Sequence, residues 1–231
     1  MVIHIIPLVV ICDVMFKDLL KIYHCSSKIR IGPKGDGGYV VDGMNLSKEL
    51  ISVGCNNETE FESDYLKLLP STQIKIYDRG GRCDLATTDQ RVTFIKKHVT
   101  SIEDLEINDG CMVAMDIEGY EIDLIRKSDT KFLKKIKQLL IEFHFWNDPE
   151  EHVVCDVFSK LNQVFVPIHI HANNYKRFFY KDTLPQVIEV TYVNKVECNY
   201  TTLETSKFPM PNLDFPNNPK LEDTPLPWVN N

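Results

Sequence analysis

The sequence contains no Cys-x-x-Cys pair and no G-x-G-x-x-G, and its 26 basic residues are outnumbered by 33 acidic ones. The first absence leaves neither a zinc knuckle nor a thioredoxin-type redox site among its seven cysteines. The second removes the dinucleotide-binding fingerprint. The acidic balance, a net charge of −7 and a pI near 5.5, argues against a protein that coats nucleic-acid phosphates. Basic charge is also missing from the apolar start, residues 1–12, where the first Lys or Arg is Lys17. A signal peptide needs that charge, and twelve residues are too few to span a bilayer. This stretch is therefore expected to be a strand or an edge of a larger chain, and no membrane association is expected.

What is present points to one sizeable core. The 231 residues are 43% hydrophobic, enough for one domain with appendages. An odd number of scattered cysteines fits reduced thiols and a cytoplasmic location. A sequon at Asn57 falls in a loop read below as ligand-binding, where a glycan would block it. All ten glycines lie between Gly32 and Gly119, and six of the twelve prolines lie at Pro209 or later. The expected division is a strand and helix extension over 1–27, a main domain over 28–207 and an irregular Pro-rich tail over 208–231.

Within the main domain, apolar runs alternate with amphipathic segments. Strands are expected at 50–54, 73–78, 91–99, 111–116, 136–145, 164–171 and 186–194, and helices at 58–69, 118–126 and 149–161. The run CMVAMD (111–116) reads as a buried parallel strand. The last two strands are joined by about fifteen residues and should pair antiparallel. The expected fold class is α/β: a doubly wound sheet, mostly parallel, with an antiparallel C-terminal hairpin.

In such sheets ligands bind beyond the carboxyl ends of the strands. The residues there are polar five times over: Gly54-Cys55-Asn56-Asn57, Asp78-Arg79-Gly80-Gly81, Asp116-Ile117-Glu118-Gly119, His144-Phe145-Trp146-Asn147 and His171-Ala172-Asn173-Asn174. Gly54 suits a tight turn against a ligand. Asn56 and Asn57 tolerate left-handed backbone. Asp78 is placed to accept from both hydroxyls of a ribose. The glycines of Asp36-Gly37-Gly38-Tyr39 allow a turn whose amides meet a carboxylate.

Three stretches resemble the FkbM methyltransferases: RIGPKGDGGYVV (30–41), ISVGCNNETEFE (51–62) and MDIEGYE (115–121). KQLLIEFH (137–144), HIHANNY (169–175) and PQVIEVTYVNK (185–195) resemble it more loosely. The resemblance spans residues 28–195 and implies a class I methyltransferase fold, S-adenosylmethionine as methyl donor and an oxygen acceptor, often a hydroxyl of a sugar or polyketide. It places the donor against Gly37, Gly38, Tyr39, Gly54, Cys55, Asn56, Asp78 and Asp116. Two positions depart from the family. Its acid two residues before the loop glycine is here Ser52, and its second glycine falls near Glu58.

Methyl transfer to a hydroxyl needs the two reacting atoms in line and a base or cation to activate the oxygen. Asp116, Glu142 and His144 are the expected catalytic residues. Glu142 and His144 are two apart on one strand and so share a face. Asp116 and Glu142 are candidate ligands for Mg²⁺ or Mn²⁺, and His144 is the candidate base. Glu118, Trp146, His169, His171 and Asn173 are candidate substrate residues. Glu121 is read as a helix N-terminal acid, and Phe143 and Phe145 as core. The expected substrate is a small-molecule or glycan hydroxyl, with no nucleic-acid partner. Ser52 and Glu58 keep open an inactive donor- or sugar-binding module. A nicotinamide oxidoreductase is disfavoured by the missing glycine fingerprint, and a protein or RNA methyltransferase by the acidic charge and the lack of an N-P-P-Y type motif.

Overall fold

The computed structural model describes residues 18–175, 179–181 and 184–230; the expected strand at 1–12 lies outside them. The strands in chain order are β1 (Lys28–Ile31), β2 (Tyr39–Asp42), β3 (Glu49–Val53), β4 (Gln73–Asp78), β5 (Val92–Lys96), β6 (Cys111–Met115), β7 (Ile136–His144), β8 (Phe165–Ala172), β9 (Phe179–Tyr180), β10 (Leu184–Pro185) and β11 (Val187–Asn194). The helices are α1 (Glu60–Leu68), α2 (Asp84–Thr88), α3 (Glu121–Lys127), α4 (Thr130–Leu133) and α5 (Glu151–Val164).

Seven strands form one sheet in the order β5-β4-β3-β6-β7-β11-β8. The first five run parallel, and β11 lies antiparallel between β7 and β8. This is a doubly wound α/β sheet with an antiparallel hairpin at one edge. Parallel strands read as continuous apolar runs because both faces are covered, and every residue of β6 is buried. Alternate residues serve opposite layers. Ile51, Val53, Val113, Met115, Leu139 and Ile141 pack with α3 and α5. Leu50, Ile74, Ile76, Met112, Ala114 and Leu140 pack with Phe61, Tyr65 and Leu66 of α1. In α5, Val154, Val157, Phe158 and Leu161 recur at helical spacing and are buried. Phe158 meets Phe143 edge to face at 5.2 Å between centroids; its truncation to alanine would cost about 3–5 kcal/mol.

All three expected helices start later than expected, the first at Glu60 rather than 58. The helix expected from residue 118 begins at Glu121, because Glu118 (φ 58°) and Gly119 (φ 98°) hold left-handed backbone that a helix cannot include. The helix expected from 149 begins at Glu151 behind the cap Glu150; Pro149 stands outside and accepts from the Tyr180 hydroxyl at 2.5 Å. The C-terminal residues pack closely against this sheet. Leu203 bridges Tyr23, Phe208, Leu226 and Val229 enter the main core, and Asn174 binds the carbonyls of Asn218, Leu221 and Glu222.

Candidate active site

Five parallel strands end at one edge, where the loops after β3, β4, β5 and β6 line a cavity of about 340 Å³. That lies within the range of small-molecule sites. The loop after β3 shapes its floor. Gly54 has φ 80°, and a Cβ there would stand 1.8 Å from the Asp116 carbonyl oxygen. Glycine is required because the β3 and β6 loops touch backbone to backbone. Asn56 (φ 41°) and Asn57 (φ 65°) continue the turn left-handed.

Asp78, at the end of β4, ties this loop down. Its Oδ2 accepts from the Cys55 and Asn56 amides, each at 3.1 Å, and its Oδ1 from the Gly80 amide at 2.6 Å. Burial works against ionisation, but the three amides outweigh it and hold the carboxyl below the usual range. Burial pushes the Cys55 thiol up to about 12, so it packs rather than reacts.

Behind the cavity lies a buried group of acids around one histidine. His144 ends β7, and its Nδ1 is 3.0 Å from Glu121 Oε1. Glu121 is fully buried and also accepts from the Ile117 and Gly119 amides. Being an acceptor, Glu121 fixes the proton on Nδ1 and turns Nε2 toward the acids. Nε2 stands 3.9 Å from Asp116 Oδ1, 3.8 Å from Glu118 Oε2 and 3.8 Å from Glu142 Oε1. The Trp146 ring lies over the imidazole at 4.4 Å, and its Nε1 donates to the Glu118 carbonyl at 3.4 Å.

The charges here are mutually perturbed. Burial lowers the pKa of His144, but Glu121, Asp116 and Glu118 overcome it and raise the value above 6.5. Burial, with Glu118 and Glu121 nearby, pushes Asp116 up to about 7 against the pull of His144. Burial, then Asp116 and Glu189, holds Glu142 well above the carboxylate range. Glu142 accepts from Asn173 at 3.0 Å and from the Tyr39 hydroxyl at 3.4 Å.

Of the residues expected at the site, Gly37, Tyr39, Gly54, Cys55, Asn56, Asp78, Asp116 and Glu118 line the cavity. Glu142, His144, Trp146 and Asn173 form or flank the acid cluster, joined to the cavity through Tyr39 and Asp116. Gly38 is elsewhere: a Cβ on it would meet the Pro33 carbonyl oxygen at 2.1 Å, so it serves a turn wrapped around Arg30, which donates to the carbonyls of Pro33 and Gly35. His169 and His171 lie away from the cavity lining, under the C-terminal segment. His169 Nε2 is 2.7 Å from Asp214, and His171 lies between Glu189 at 3.2 Å and Asp223 at 3.0 Å. Both ring nitrogens of His171 and the Nε2 of His169 are thereby engaged, while His169 Nδ1 is buried without a partner. Glu121, a helix N-terminal acid by its sequence position, closes the MDIEGYE motif and holds His144. Glu62, which no sequence motif marks, is buried and lines the cavity.

The residues fit a donor that carries positive charge. Asp116 Oδ1 and Glu62 Oε2 are both buried without a hydrogen-bond partner, and such atoms call for one. For a cation, Asp116, Glu121 and His144 offer atoms all within 4.8 Å of one another. Glu121 is committed to two amides and the imidazole, whereas Asp116 and Glu142 turn oxygens toward Nε2. Glu142, expected as a metal ligand beside Asp116, is not in that group; an oxygen ligand such as Asp116 suits Mg²⁺ or Mn²⁺.

A mostly parallel sheet with a cavity at its strand ends, a glycine-asparagine loop and an acid on the neighbouring strand define a class I methyltransferase-like protein. The sequence matches the family model of the methyltransferase FkbM domain over residues 21–177. The chain belongs to the FkbM methyltransferases, whose donor is S-adenosylmethionine. Among solved structures it is similar to the fibrillarin pre-rRNA processing protein of Methanococcus jannaschii, with 10% identity over 74% of this chain and 84% of that one and a TM-score of 0.44. It is also similar to a SAM-dependent methyltransferase of Aquifex aeolicus, with 11% identity over 64% and 82% and a TM-score of 0.38. No curated protein gives a significant match. Among the described residues, no helix is long and apolar enough to cross a membrane.

Proposed function

We propose that the protein methylates a hydroxyl oxygen, that of a sugar or glycan, with His144 as the base. The observation that carries this reading is the imidazole held through Nδ1 by a fully buried Glu121, with Nε2 turned toward Asp116 on the cavity wall. An alcohol is a poor nucleophile, and a base in hydrogen-bond reach of its proton lowers the barrier. Nε2 would take the hydroxyl proton while the oxygen bonds to the donor methyl carbon. The carbon–sulfur bond then breaks, and its electron pair stays on sulfur. Gly37, Tyr39, Gly54, Cys55, Asn56 and Asp78 would hold the donor, and Glu118, Trp146 and Asn173 would border the acceptor. Trp146 is half-buried and offers a flat wall of the kind a sugar ring stacks on. A divalent cation held by Asp116 and Glu142 would lower the acceptor's pKa.

None of the described cysteines is joined in a disulfide, which supports a reducing, cytoplasmic setting. Asn57 supports it too: its side chain pairs both ways with Asp84, and a glycan there would break that pairing.

The test is turnover against a panel of glycosides, with and without chelator. His144→Ala should lower the rate roughly 100-fold or more with donor affinity nearly unchanged. Full activity in that variant refutes His144 as base, and full wild-type activity in chelator refutes the cation. Donor binding without turnover on any hydroxyl would instead support a binding module.

A further inference from the structure

We propose that Glu62 is the anionic subsite for the α-ammonium group of the methyl donor; this rests on the reading of the cavity as the donor site. Glu62 lies in the first turn of α1, is 4% exposed and lines the cavity. Its Oε1 accepts from the Ser52 hydroxyl at 2.6 Å, and its Oε2 is buried with no partner. The asymmetry is informative. A buried carboxyl with one oxygen unmet is costly, and native proteins rarely carry that cost without a ligand, ion or water to meet it.

The cations lining the same cavity are engaged elsewhere. Lys97 binds the Asp104 carbonyl and carboxylate, and Arg79 lies over the Tyr120 ring. A positive group brought by the ligand is therefore the partner this carboxylate lacks. S-adenosylmethionine carries an ammonium on its amino-acid arm, at the opposite end from its adenosine. Asp78 and Arg79 stand at the end of β4, whereas Glu62 is on α1 next to Phe61, whose ring meets Tyr39 edge to face at 5.4 Å. Ser52 gains a role by the same contact: its hydroxyl holds the α1 carboxylate against the end of β3. Burial raises the pKa of Glu62, and an ammonium placed against it would act the other way, favouring the carboxylate.

The test compares two probes in calorimetric titration: S-adenosylhomocysteine, which keeps the ammonium, and 5′-methylthioadenosine, which lacks the whole amino-acid arm. Glu62→Gln should weaken S-adenosylhomocysteine tenfold or more and change methylthioadenosine by less than twofold. Equal weakening of both probes would make Glu62 merely structural and overturn the proposal, as would no change in either. If Glu62→Gln does not fold, Glu62→Asp withdraws the same charge by one methylene and is expected to give the same selective loss. Wild type that binds neither probe would refute the donor site itself, a failure distinct from the selective result.

Discussion

Replacing Gly54 by alanine perturbs the one point where two site loops meet backbone to backbone. Two costs add. The residue sits at φ 80°, where a side chain costs about 1–2 kcal/mol. The new methyl would also lie 1.8 Å from the Asp116 carbonyl oxygen, below the 3.0 Å that real contacts respect. The carbonyl must therefore retreat by more than an ångström, against the β3–β6 ladder that Asp116 extends by donating to Val53 at 3.0 Å. Forcing atoms into a packed interior costs typically about 1–3 kcal/mol. The sum is roughly 2–5 kcal/mol. For a chain of this size each kcal/mol is worth about 2–4 °C, so Tm should fall by about 4–20 °C. Donor affinity should fall with it, since Asp116 is displaced. Gly81→Ala is the control, because a Cβ there meets nothing within 4 Å. Thermal melts and donor titration of both variants decide the matter. A Gly54→Ala protein that melts within 2 °C of wild type and binds donor normally refutes the argument.

Asp78→Asn should weaken donor binding by about 1–3 kcal/mol in titration, and it should also destabilise the fold, because the carboxylate holds the amides of Cys55, Asn56 and Gly80; unchanged affinity would move the ribose elsewhere. Lys28→Met should cost about 3–5 kcal/mol in denaturant unfolding, since it strands the buried Glu204 carboxylate 2.8 Å away. Burial opposes ionisation of Glu204, but Lys28 and the Ser206 amide hold its pKa down to about 2 from 4.5. A depressed carboxyl pKa contributes stability above the unfolded value that is lost as pH falls from 4.5 toward 2. Wild type should therefore lose its advantage over Glu204→Gln, of order 1–3 kcal/mol, across that window; a constant gap between the two melting curves refutes the pairing.

The sheet was readable in the sequence because its signal is local. CMVAMD can only be a strand covered on both faces, and the spacing of Val154, Val157, Phe158 and Leu161 can only be one buried helical stripe. The polar strand ends marked the cavity for the same reason, since topology puts them on one edge. What escaped was partnership across the chain. Glu121 looks like any acid in a first helical turn, and nothing in MDIEGYE shows that its carboxylate turns inward to His144, 23 residues on. His169 and His171 look catalytic by type, but the acids that engage them, Asp214 and Asp223, come 45 and 52 residues later in a stretch without periodicity. Glu62 was invisible because an acid in an amphipathic helix ordinarily faces water, and only its burial beside Ser52 sets it apart.

The position of β11 has a consequence for how the chain folds. Among the described residues, strand β8 has one neighbouring strand in the sheet, β11, which follows it in sequence yet lies between it and β7. The sheet therefore cannot grow in chain order. Until β11 arrives, β7 presents a long unpaired edge carrying Leu139, Leu140, Ile141 and Phe143, and β8 has no ladder to join. Open apolar edges of this kind template association with other chains. The late insertion of one strand is thus the step at which nascent protein is most exposed to aggregation, and substitutions that slow it would lower the yield of folded molecules without touching the finished site.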